Sequence, residues 1–295
     1  MEERFITPTL LEDFNAYLID QERSPATIEK YMRDIQHFAH FTARKALSRQ
    51  IMLAYKADVS EKYAVASANS MLAAVNSLLR FVGWGDLCLK QFKLQRQVYT
   101  PEEKELTRAE YERLVATAHN RGNERLCLIL QTICATGIRV SELPFITVEA
   151  AYLGEAVVRC KGKTRTVLLV KELRTLLLRY AKRCGLSAGS VFVTRSGKPI
   201  SRTAVWRDMK KLCAHAGVAP GKAFPHNLRH LFARTFYGVE KDIAKLADIL
   251  GHSSINTTRI YVATTSEEHR RRMENLHLIL PHKKTPAFPA GVMCT

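Results

Sequence analysis

Hydrophobic positions in the first part of the chain recur at the three- and four-residue spacing of amphipathic helices. In TLLEDFNAYLI, leucine and aromatic side chains fall at positions 10, 11, 14, 17 and 18, and SPATIEKYMRDIQHFAHF carries an apolar stripe from Ile28 to Phe38. Ser24 suits a helix N-cap, and Pro25 suits the first helical position. The pattern continues through SANSMLAAVNSLLRFV and predicts an all-helical domain over residues 1–84.

The periodicity breaks in GWGDLCLKQFKLQRQVYTPEEKE, where glycine, proline and charged residues replace the helical pattern. We assign residues 85–105 to a linker and expect a second domain over residues 106–280. Thr107 and Glu110 have the spacing of a capping box, so a helix is expected to begin there. The final PHKKTPAFPAGVMCT, residues 281–295, is basic and contains proline, and we expect it to be disordered.

The second domain mixes helical and strand patterns. EAVVRCKGKTRTVLLV has two β-branched runs around Lys-Gly-Lys, which is typical of a β-hairpin, and SVFVTRSGKPIS predicts a short strand and turn. Helices are predicted over 107–119, 123–136, 171–184 and 265–280, and in RTAVWRDMKKLCAHAG, PHNLRHLFARTFY and KDIAKLADILG. The expected fold class is therefore mainly α with a small β-hairpin: an all-helical first domain followed by an α+β domain.

The charge of the chain points to a polyanionic partner. The 295 residues include 45 Lys and Arg against 28 Asp and Glu, a net charge of +17. Residues 1–100 carry 13 basic and 11 acidic side chains, whereas residues 101–295 carry 32 and 17. An excess of this size is typical of nucleic-acid binding, and its position predicts that the second domain holds the phosphate backbone more strongly.

Cysteine usage and hydropathy indicate the compartment. The seven cysteines are scattered and none forms a CxxC pair, which argues against a disulfide framework and against a cysteine zinc site. The start MEERFITPTL has no apolar signal region, and the most apolar run, LCLILQTICATGI, is too short to span a bilayer. We expect a soluble cytoplasmic protein, nucleoid-associated when bound to DNA, with no membrane partner.

Five short stretches hold side chains that could carry chemistry. They are ATGIRVSEL with Arg139 and Glu142, CKGKTRTV with Lys161, Lys163 and Arg165, PHNLRH with His226, Arg229 and His230, the turn at His252, and the stretch around Tyr261. Taken singly, each has an ordinary explanation, such as a surface ion pair, solvated hairpin lysines, a capping histidine or a half-buried tyrosine. His226 and His230 share a helix face at the spacing of a zinc pair, but no third ligand is evident and no metal is expected.

Taken together, these side chains could transesterify a phosphodiester without a metal. Negative charge grows on the phosphate in the pentavalent transition state, and two guanidinium groups can bind the non-bridging oxygens while staying charged. A tyrosine hydroxyl, with an ordinary pKa of about 10, needs a positive pocket or a nearby base before it attacks. The sugar oxygen is a poor leaving group and needs a proton from a lysine or histidine.

This combination, in this order, resembles the tyrosine recombinase (phage integrase) family, in particular its Xer-like two-domain members. The resemblance rests on ATGIRVSEL, CKGKTRTV, PHNLRH and LGHSSINTTRIYV. It extends to DQERSPATIEKYMRDIQHFAHF, which is similar to the family's amino-terminal core-binding helices, and covers residues 8–280. It implies a SAM-like core-binding domain followed by a tyrosine-recombinase catalytic domain, closed as a clamp around DNA.

The resemblance also implies a role for each matching residue. Arg139 and Arg229 would clamp the scissile phosphate, His226 would assist proton transfer at the tyrosine, and His252 would donate a hydrogen bond to a phosphate oxygen. Lys161 would protonate the leaving 5′ hydroxyl, and Tyr261 would attack to form a 3′-phosphotyrosine, with neither metal, cofactor nor ATP. Glu142 would orient its neighbours rather than react. Expected DNA contacts are Lys163 and Arg165 on the hairpin, and Lys30, Arg33 and Arg44 in the first domain.

The hairpin departs from the family pattern Gly-Lys-Gly-x-Lys-x-Arg. Cys160 stands in place of the first glycine, and one residue fewer precedes the second lysine, so Lys163 stays open as an alternative to Lys161. Leu231, in a position where the family often has a small polar residue, is expected to change only packing.

The partners implied by the resemblance are double-stranded DNA carrying a specific site and other copies of the chain. Members act as tetramers on two DNA sites and exchange a terminal helix, for which residues 265–280, with apolar Met273, Leu276 and Leu280, are the candidate segment. A type IB topoisomerase-like enzyme uses similar groups but relaxes DNA as a monomer, and the two-domain layout favours a recombinase. A catalytically silent DNA-binding protein of this fold is the other alternative, although all six catalytic positions are filled.

Overall fold

The computed structural model describes residues 4–43, 45–93, 104–160, 163–262, 270 and 273–275. It divides the chain into two compact units, residues 1–96 and residues 97–295. The described residues are mainly helical, with a single two-stranded antiparallel sheet, as the sequence predicts. No helix in these ranges has both the length and the apolar character needed to cross a bilayer.

The described part of the first unit contains four helices: α1 Pro8–Asp20, α2 Pro25–Thr42, α3 Arg49–Lys62 and α4 Val65–Phe81. Thr7 and Ser48 cap the first turns of α1 and α3, since their hydroxyls accept from backbone N–H groups three residues on. The apolar stripes read from the sequence face one core, where Phe14, Ile35 and Phe38 are fully buried.

The segment after α4 is held against the first unit by two asparagines. Asn76 donates to the Leu89 carbonyl and accepts from the Leu89 N–H, both at 2.8 Å, and Asn69 does the same for Phe92 at 2.9 and 2.8 Å. An asparagine amide can accept from the N–H and donate to the carbonyl of one residue, as a neighbouring β-strand would do. Residues 85–93, assigned to the linker from the sequence, therefore run along α4.

The second unit contains eight helices within its described residues. They are α5 Arg108–Asn120, α6 Glu124–Thr136, α7 Val148–Leu153, α8 Lys171–Arg183, α9 Arg202–Ala216, α10 Pro225–Glu240, α11 Ile243–Leu250 and α12 Ile255–Tyr261. The predicted capping box begins α5, with both reciprocal bonds between Thr107 and Glu110. A short 3-10 turn, Val140–Phe145, follows α6 and carries Glu142.

The predicted hairpin forms from β1 Glu155–Cys160 and β2 Lys163–Leu168, with Cys160 opposite Lys163. Alternate residues of the hairpin face opposite sides, so Arg165 lies on the same face as buried Val158 and Val167. Arg159 lies on the other, exposed face. The hairpin thus packs one face against the unit and turns Arg165 inward.

The structure differs from the sequence predictions in one strand and two helices, and it does not describe one further predicted helix. SVFVTRSGKPIS forms no regular strand but two isolated bridges, Thr147 with Ser190 and Val193 with Pro199, because the segment turns at Gly197 before a ladder can extend. Helices α7 and α12, of six and seven residues, were not predicted. The expected helix over 265–280 and the tail 281–295 lie outside the described residues, apart from Arg270 and residues 273–275.

Candidate active site

Three histidine rings and a guanidinium surround the ring of Tyr261. The His230 ring stacks on it, with centroids 4.3 Å apart and planes 23° apart, while the His252 and His226 centroids lie at 4.9 and 5.2 Å. The Arg229 guanidinium carbon lies 5.6 Å from the ring centroid. Tyr261 is the last residue of α12 and is 7% exposed. The tyrosine singled out from the sequence therefore lies beside three other predicted residues of its own chain, Arg229, His226 and His252.

Arg229 is a buried cation held by the ends of two helices. It is 1% exposed, donates through Nη1 to the carbonyl of Gly137 at the end of α6, and donates through Nη2 to the Leu250 carbonyl at 2.7 Å. Helix C-termini present unpaired carbonyls and partial negative charge, so both sites favour a cation. Burial lowers the pKa of Arg229 to about 10, with the charge of Arg139 adding to the effect, and the guanidinium stays charged at neutral pH.

Gly137 makes this arrangement possible. Its φ of +64° ends α6 in the left-handed conformation, and a Cβ there would meet the Phe232 ring and come within 2.9 Å of Leu250 Cδ2. Only glycine satisfies both the dihedral angle and the close approach of α10 and α11. The carbonyl that Gly137 offers to Arg229 depends on that conformation.

His252 links Arg229 to the helix that carries Tyr261. Its Nε2 lies 2.9 Å from Arg229 Nη2, and its Nδ1 lies 2.9 Å from the Thr258 hydroxyl. Burial, followed by the charges of Arg229 and Arg139, lowers the pKa of His252 to about 4. The imidazole is therefore neutral at physiological pH.

Glu142 joins two arginines, Arg139 and Arg165. It is 1% exposed and accepts from Arg139 Nη1 at 2.9 Å, from the Arg139 backbone N–H at 2.8 Å and from Arg165 Nη2 at 2.6 Å. Burial raises the pKa of Glu142, but the Arg139 N–H and the two guanidinium charges outweigh it, so the pKa lies below its usual value. Glu142 is a buried carboxylate whose charge is balanced by two cations.

Arg165 points into the protein rather than away from it. Besides Glu142, it donates through Nη1 to the Ile249 carbonyl at 2.6 Å, and a Cβ on Gly251 would come within 2.8 Å of its Nε. The sequence placed Arg165 among the DNA contacts. Its two terminal nitrogens instead tie the hairpin to Glu142 and to the turn before His252.

The remaining two histidines are also neutral at physiological pH. Loss of hydration, together with the positive charges of Arg229 and Arg139, lowers the pKa of His226. Burial lowers the pKa of His230 to about 4, with His226 and Arg229 contributing. His226 is exposed, whereas His230 is half-buried and its ring stacks on Tyr261. A neutral, exposed imidazole can accept a proton.

A cavity at the candidate site is lined both by predicted residues and by residues that were not predicted. A cavity of about 370 Å³ is lined by Arg139, His226 and Arg229, and also by Arg202 and Trp206 from the start of α9. Sequence reasoning missed Arg202 and Trp206, because the signal at Ser201 marks only the start of a helix. It also weighed His230 only as a metal ligand, although its spacing from His226 already placed both on one helix face.

The structure describes only some of the other predicted site residues. Lys161 and Arg44 lie outside the described residues, and Lys163 is the first residue of β2. In the first unit, Lys30 pairs with Asp34 one turn on, and Arg33 is exposed. Across the described residues, no group of three His, Cys, Asp or Glu side chains is arranged to hold a metal ion.

Comparison with known proteins covers nearly the whole chain. The profile described as Phage integrase family matches residues 104–268, and that described as Phage integrase, N-terminal SAM-like domain matches residues 11–84. Tyrosine recombinase XerA of Pyrococcus furiosus is 28% identical over 293 residues, which cover 95% of this chain and 98% of the relative.

Two solved structures show the same fold. The XerH site-specific recombinase, bound to its difH substrate in a pre-cleavage complex, has a TM-score of 0.66 at 18% identity, covering 91% of this chain and 85% of that one. A lambda integrase tetramer bound to a Holliday junction has a TM-score of 0.71 at 16% identity, covering 88% and 78% respectively.

Proposed function

The chain belongs to the phage integrase family, and we propose that this tyrosine recombinase uses Tyr261 to cut DNA at a specific site and to rejoin it. The two matching profiles confirm the predicted fold class, a SAM-like first domain followed by an integrase catalytic domain. The function predicted from the sequence, site-specific DNA recombination, is confirmed at the level of the family. The assignment of individual residues is our proposal.

One observation carries the assignment of the nucleophile. The Tyr261 ring lies 4.3 to 5.2 Å from three histidine rings and 5.6 Å from the Arg229 guanidinium carbon. A neutral imidazole beside the phenol can take its proton, and a nearby guanidinium can balance the negative charge that develops in the reaction. An ordinary core tyrosine has no need of such neighbours.

Two arginines would bind the scissile phosphate. Arg139 and Arg229 both line the cavity, and the Arg229 guanidinium also lies near the ring of Tyr261. Arg229 Nε has no hydrogen-bond partner among the described residues. Because Arg139 is fixed by Glu142 and Arg229 by two helix ends, their positions are set before DNA binds. Such preorganised donors stabilise the charge that develops on the non-bridging oxygens in the transition state.

We propose two proton transfers, one at each oxygen that changes its bond to phosphorus. The Tyr261 oxygen forms a bond to phosphorus as its proton passes to His226, and the bond from phosphorus to the 5′ oxygen breaks as that oxygen takes a proton from Lys161. Lys163 is the alternative donor. In rejoining, a 5′ hydroxyl attacks the phosphotyrosine and Tyr261 leaves with a proton, so the energy of the cut bond is kept and no ATP is consumed.

We also propose that the chain works as a tetramer on two paired DNA sites. The lambda integrase structure compared above is a tetramer bound to a Holliday junction. In this chain, an apolar groove between α5, α6 and α10 exposes Val239 to 82% and is lined by Phe232 and Phe236. Such a groove suits an apolar segment from a neighbouring copy, for which residues 265–280 remain our candidate.

Covalent capture tests the proposed nucleophile. The protein is incubated with sheared genomic DNA of its source organism, the reaction is stopped with detergent, and the DNA attached to protein is sequenced to recover the site. On a nicked duplex of that site, Tyr261→Phe should bind DNA normally and form no covalent complex. Tyr237→Phe, a matched loss of one hydroxyl on α10, should react like the unchanged protein.

Two outcomes would contradict the proposal. A covalent complex formed by Tyr261→Phe would exclude Tyr261 as the nucleophile. Relaxation of supercoiled plasmid by the monomer, without exchange between paired sites, would favour the topoisomerase-like alternative.

A further inference from the structure

Thr258 is a buried polar residue on the helix that carries Tyr261. Of the seven residues of α12, only Thr258 and Tyr261 are buried, and Thr258 is fully so. Its hydroxyl lies 2.9 Å from His252 Nδ1. A buried hydroxyl needs a hydrogen-bond partner, and here that partner is an imidazole of the proposed active site.

The partners of His252 fix which nitrogen carries its proton. A guanidinium only donates, so His252 Nε2 accepts from Arg229 Nη2 at 2.9 Å. The neutral ring then carries its proton on Nδ1, which donates to the Thr258 hydroxyl. In the DNA-free protein, His252 therefore has no proton on Nε2.

The proposed reaction needs the other tautomer. To donate to a phosphate oxygen from Nε2, a neutral His252 must carry its proton there, and Nδ1 must become an acceptor. A hydroxyl can accept in the first state and donate in the second, because its hydrogen rotates. A carbonyl or a carboxylate in the same place would hold only the first tautomer.

We propose that Thr258 is a positioning residue that holds the His252 ring through both tautomers, accepting from Nδ1–H before DNA binds and donating to Nδ1 once Nε2–H faces the phosphate. This inference rests on the proposed function. Because Thr258 and Tyr261 share one helical turn, His252 is fully oriented only while the helix that carries the nucleophile is docked.

The chain offers well-matched variants for a test. Thr258→Val keeps the shape and removes the hydroxyl, and Thr258→Ser keeps the hydroxyl. Thr257→Val makes the same change at the neighbouring exposed position. All three are compared with the unchanged protein for thermal unfolding and for affinity to the nicked duplex of the recovered site.

Formation of the covalent complex is then timed in a single turnover. Loss of one hydrogen bond to a reacting group should slow Thr258→Val by roughly 3- to 10-fold at unchanged DNA affinity, while Thr258→Ser and Thr257→Val stay near the normal rate. In a His252→Ala background, Thr258→Val should cause no further slowing, because its partner is gone. Equal slowing in both backgrounds, or none in either, would overturn the inference.

A second readout needs no activity. With ¹⁵N-labelled histidine and no DNA, the His252 resonances should show a protonated Nδ1 and an unprotonated Nε2, and Thr258→Val, but not Thr257→Val, should shift them. A protonated Nε2 in the DNA-free protein, or no shift in Thr258→Val, would overturn the inference even if the enzyme is active. Absence of any covalent complex with the unchanged protein would instead overturn the proposed function and leave this readout to decide on Thr258.

Discussion

At the scale of single residues, the site is a set of cations whose directions are set by carbonyls and one carboxylate. Arg229 is aimed by two helix ends and Arg139 by Glu142. Arg165 belongs to the same set, since it bonds Glu142 and the Ile249 carbonyl. A residue placed in this way acts on the reaction through its neighbours, and its removal should be felt in the rate more than in affinity.

Arg165→Gln tests that distinction. We expect slower covalent-complex formation, by about tenfold or more, because Glu142 loses one of its two cations. The dependence of DNA affinity on salt should stay unchanged, since both terminal nitrogens of Arg165 bond acceptors within the protein. Arg159→Gln, the same charge change on the exposed face of the hairpin, is the control for a cation open to solvent. A salt slope lower by roughly 0.9 in Arg165→Gln would show the direct phosphate contact predicted from the sequence.

Two half-buried histidines, His230 and His252, should make the stability of the protein sensitive to acid. The pKa of His230 and of His252 is lowered from about 6.5 to about 4, so between these values the unfolded chain binds protons that the folded chain excludes. The free energy of unfolding should therefore fall as the pH drops through this window, and these rings should have no effect above it. Chemical denaturation across the window measures the decline, and His230→Phe should make it shallower. An unchanged decline in that variant would contradict the assignment.

The sequence indicates candidate site residues more readily than the directions in which their side chains point. The motifs that resemble the tyrosine recombinase family single out Arg139, His226, Arg229, His252 and Tyr261. The structure brings these side chains close together, and their catalytic roles are our proposal. Arg165 and Thr258 could not be interpreted in the same way. Which way they point depends on the register of a hairpin and on the docking of a seven-residue helix, and neither is visible in composition or spacing.

At the scale of elements, the site depends on where α6 ends. The left-handed Gly137 stops the helix, admits α10 and α11 and offers its carbonyl to Arg229. The turn at Gly251 plays a similar part for α11, where Arg165 packs across the glycine. Two helix ends are thus used as cation-holding groups rather than left to solvent.

Gly137→Ala should therefore cost more than an ordinary helix-cap glycine. We expect the free energy of unfolding to fall by about 2–4 kcal/mol, from a left-handed alanine plus overlap with α10 and α11. Gly217→Ala is a matched control, because Gly217 has a φ of +59° at the end of α9 and open space around its Cβ, so only about 1 kcal/mol should be lost. Similar losses measured by denaturant titration in both variants would contradict the packing argument.

Most elements could be predicted because periodicity is a strong signal over three turns or more. Helices α5, α6, α8 and α9 and the hairpin fall close to their predicted ranges. Helices α7 and α12 are too short to show a repeating apolar face, and both were missed. The omission matters, because α12 carries Tyr261 and its docking brings the ring to the histidines.

At the scale of the whole molecule, charge is the dominant feature. The net charge of +17 is concentrated after residue 100, in the unit that contains the candidate site. Binding to the phosphate backbone releases condensed counterions, so affinity depends on the salt concentration as well as on sequence. The same basic excess predicts a nucleic-acid partner from composition alone.

DNA affinity should fall steeply as salt rises. If the protein replaces six or more counterions, the affinity for unrelated duplex DNA should fall by about a thousandfold between 50 and 200 mM salt. Fluorescence anisotropy with a labelled duplex measures the slope, and an uncharged duplex analogue serves as the control. A slope near zero would contradict the idea that the basic excess holds the phosphate backbone.

The chemical identity of the residue that becomes attached to DNA decides most directly whether Tyr261 is the nucleophile. Protein captured on its recovered site is digested with nuclease and trypsin, and the modified peptide is sequenced by mass spectrometry. We expect a nucleotide linked through its 3′ phosphate to Tyr261, in the tryptic peptide that begins at Ile260. A nucleotide on any other residue, or a 5′ linkage, would contradict this expectation.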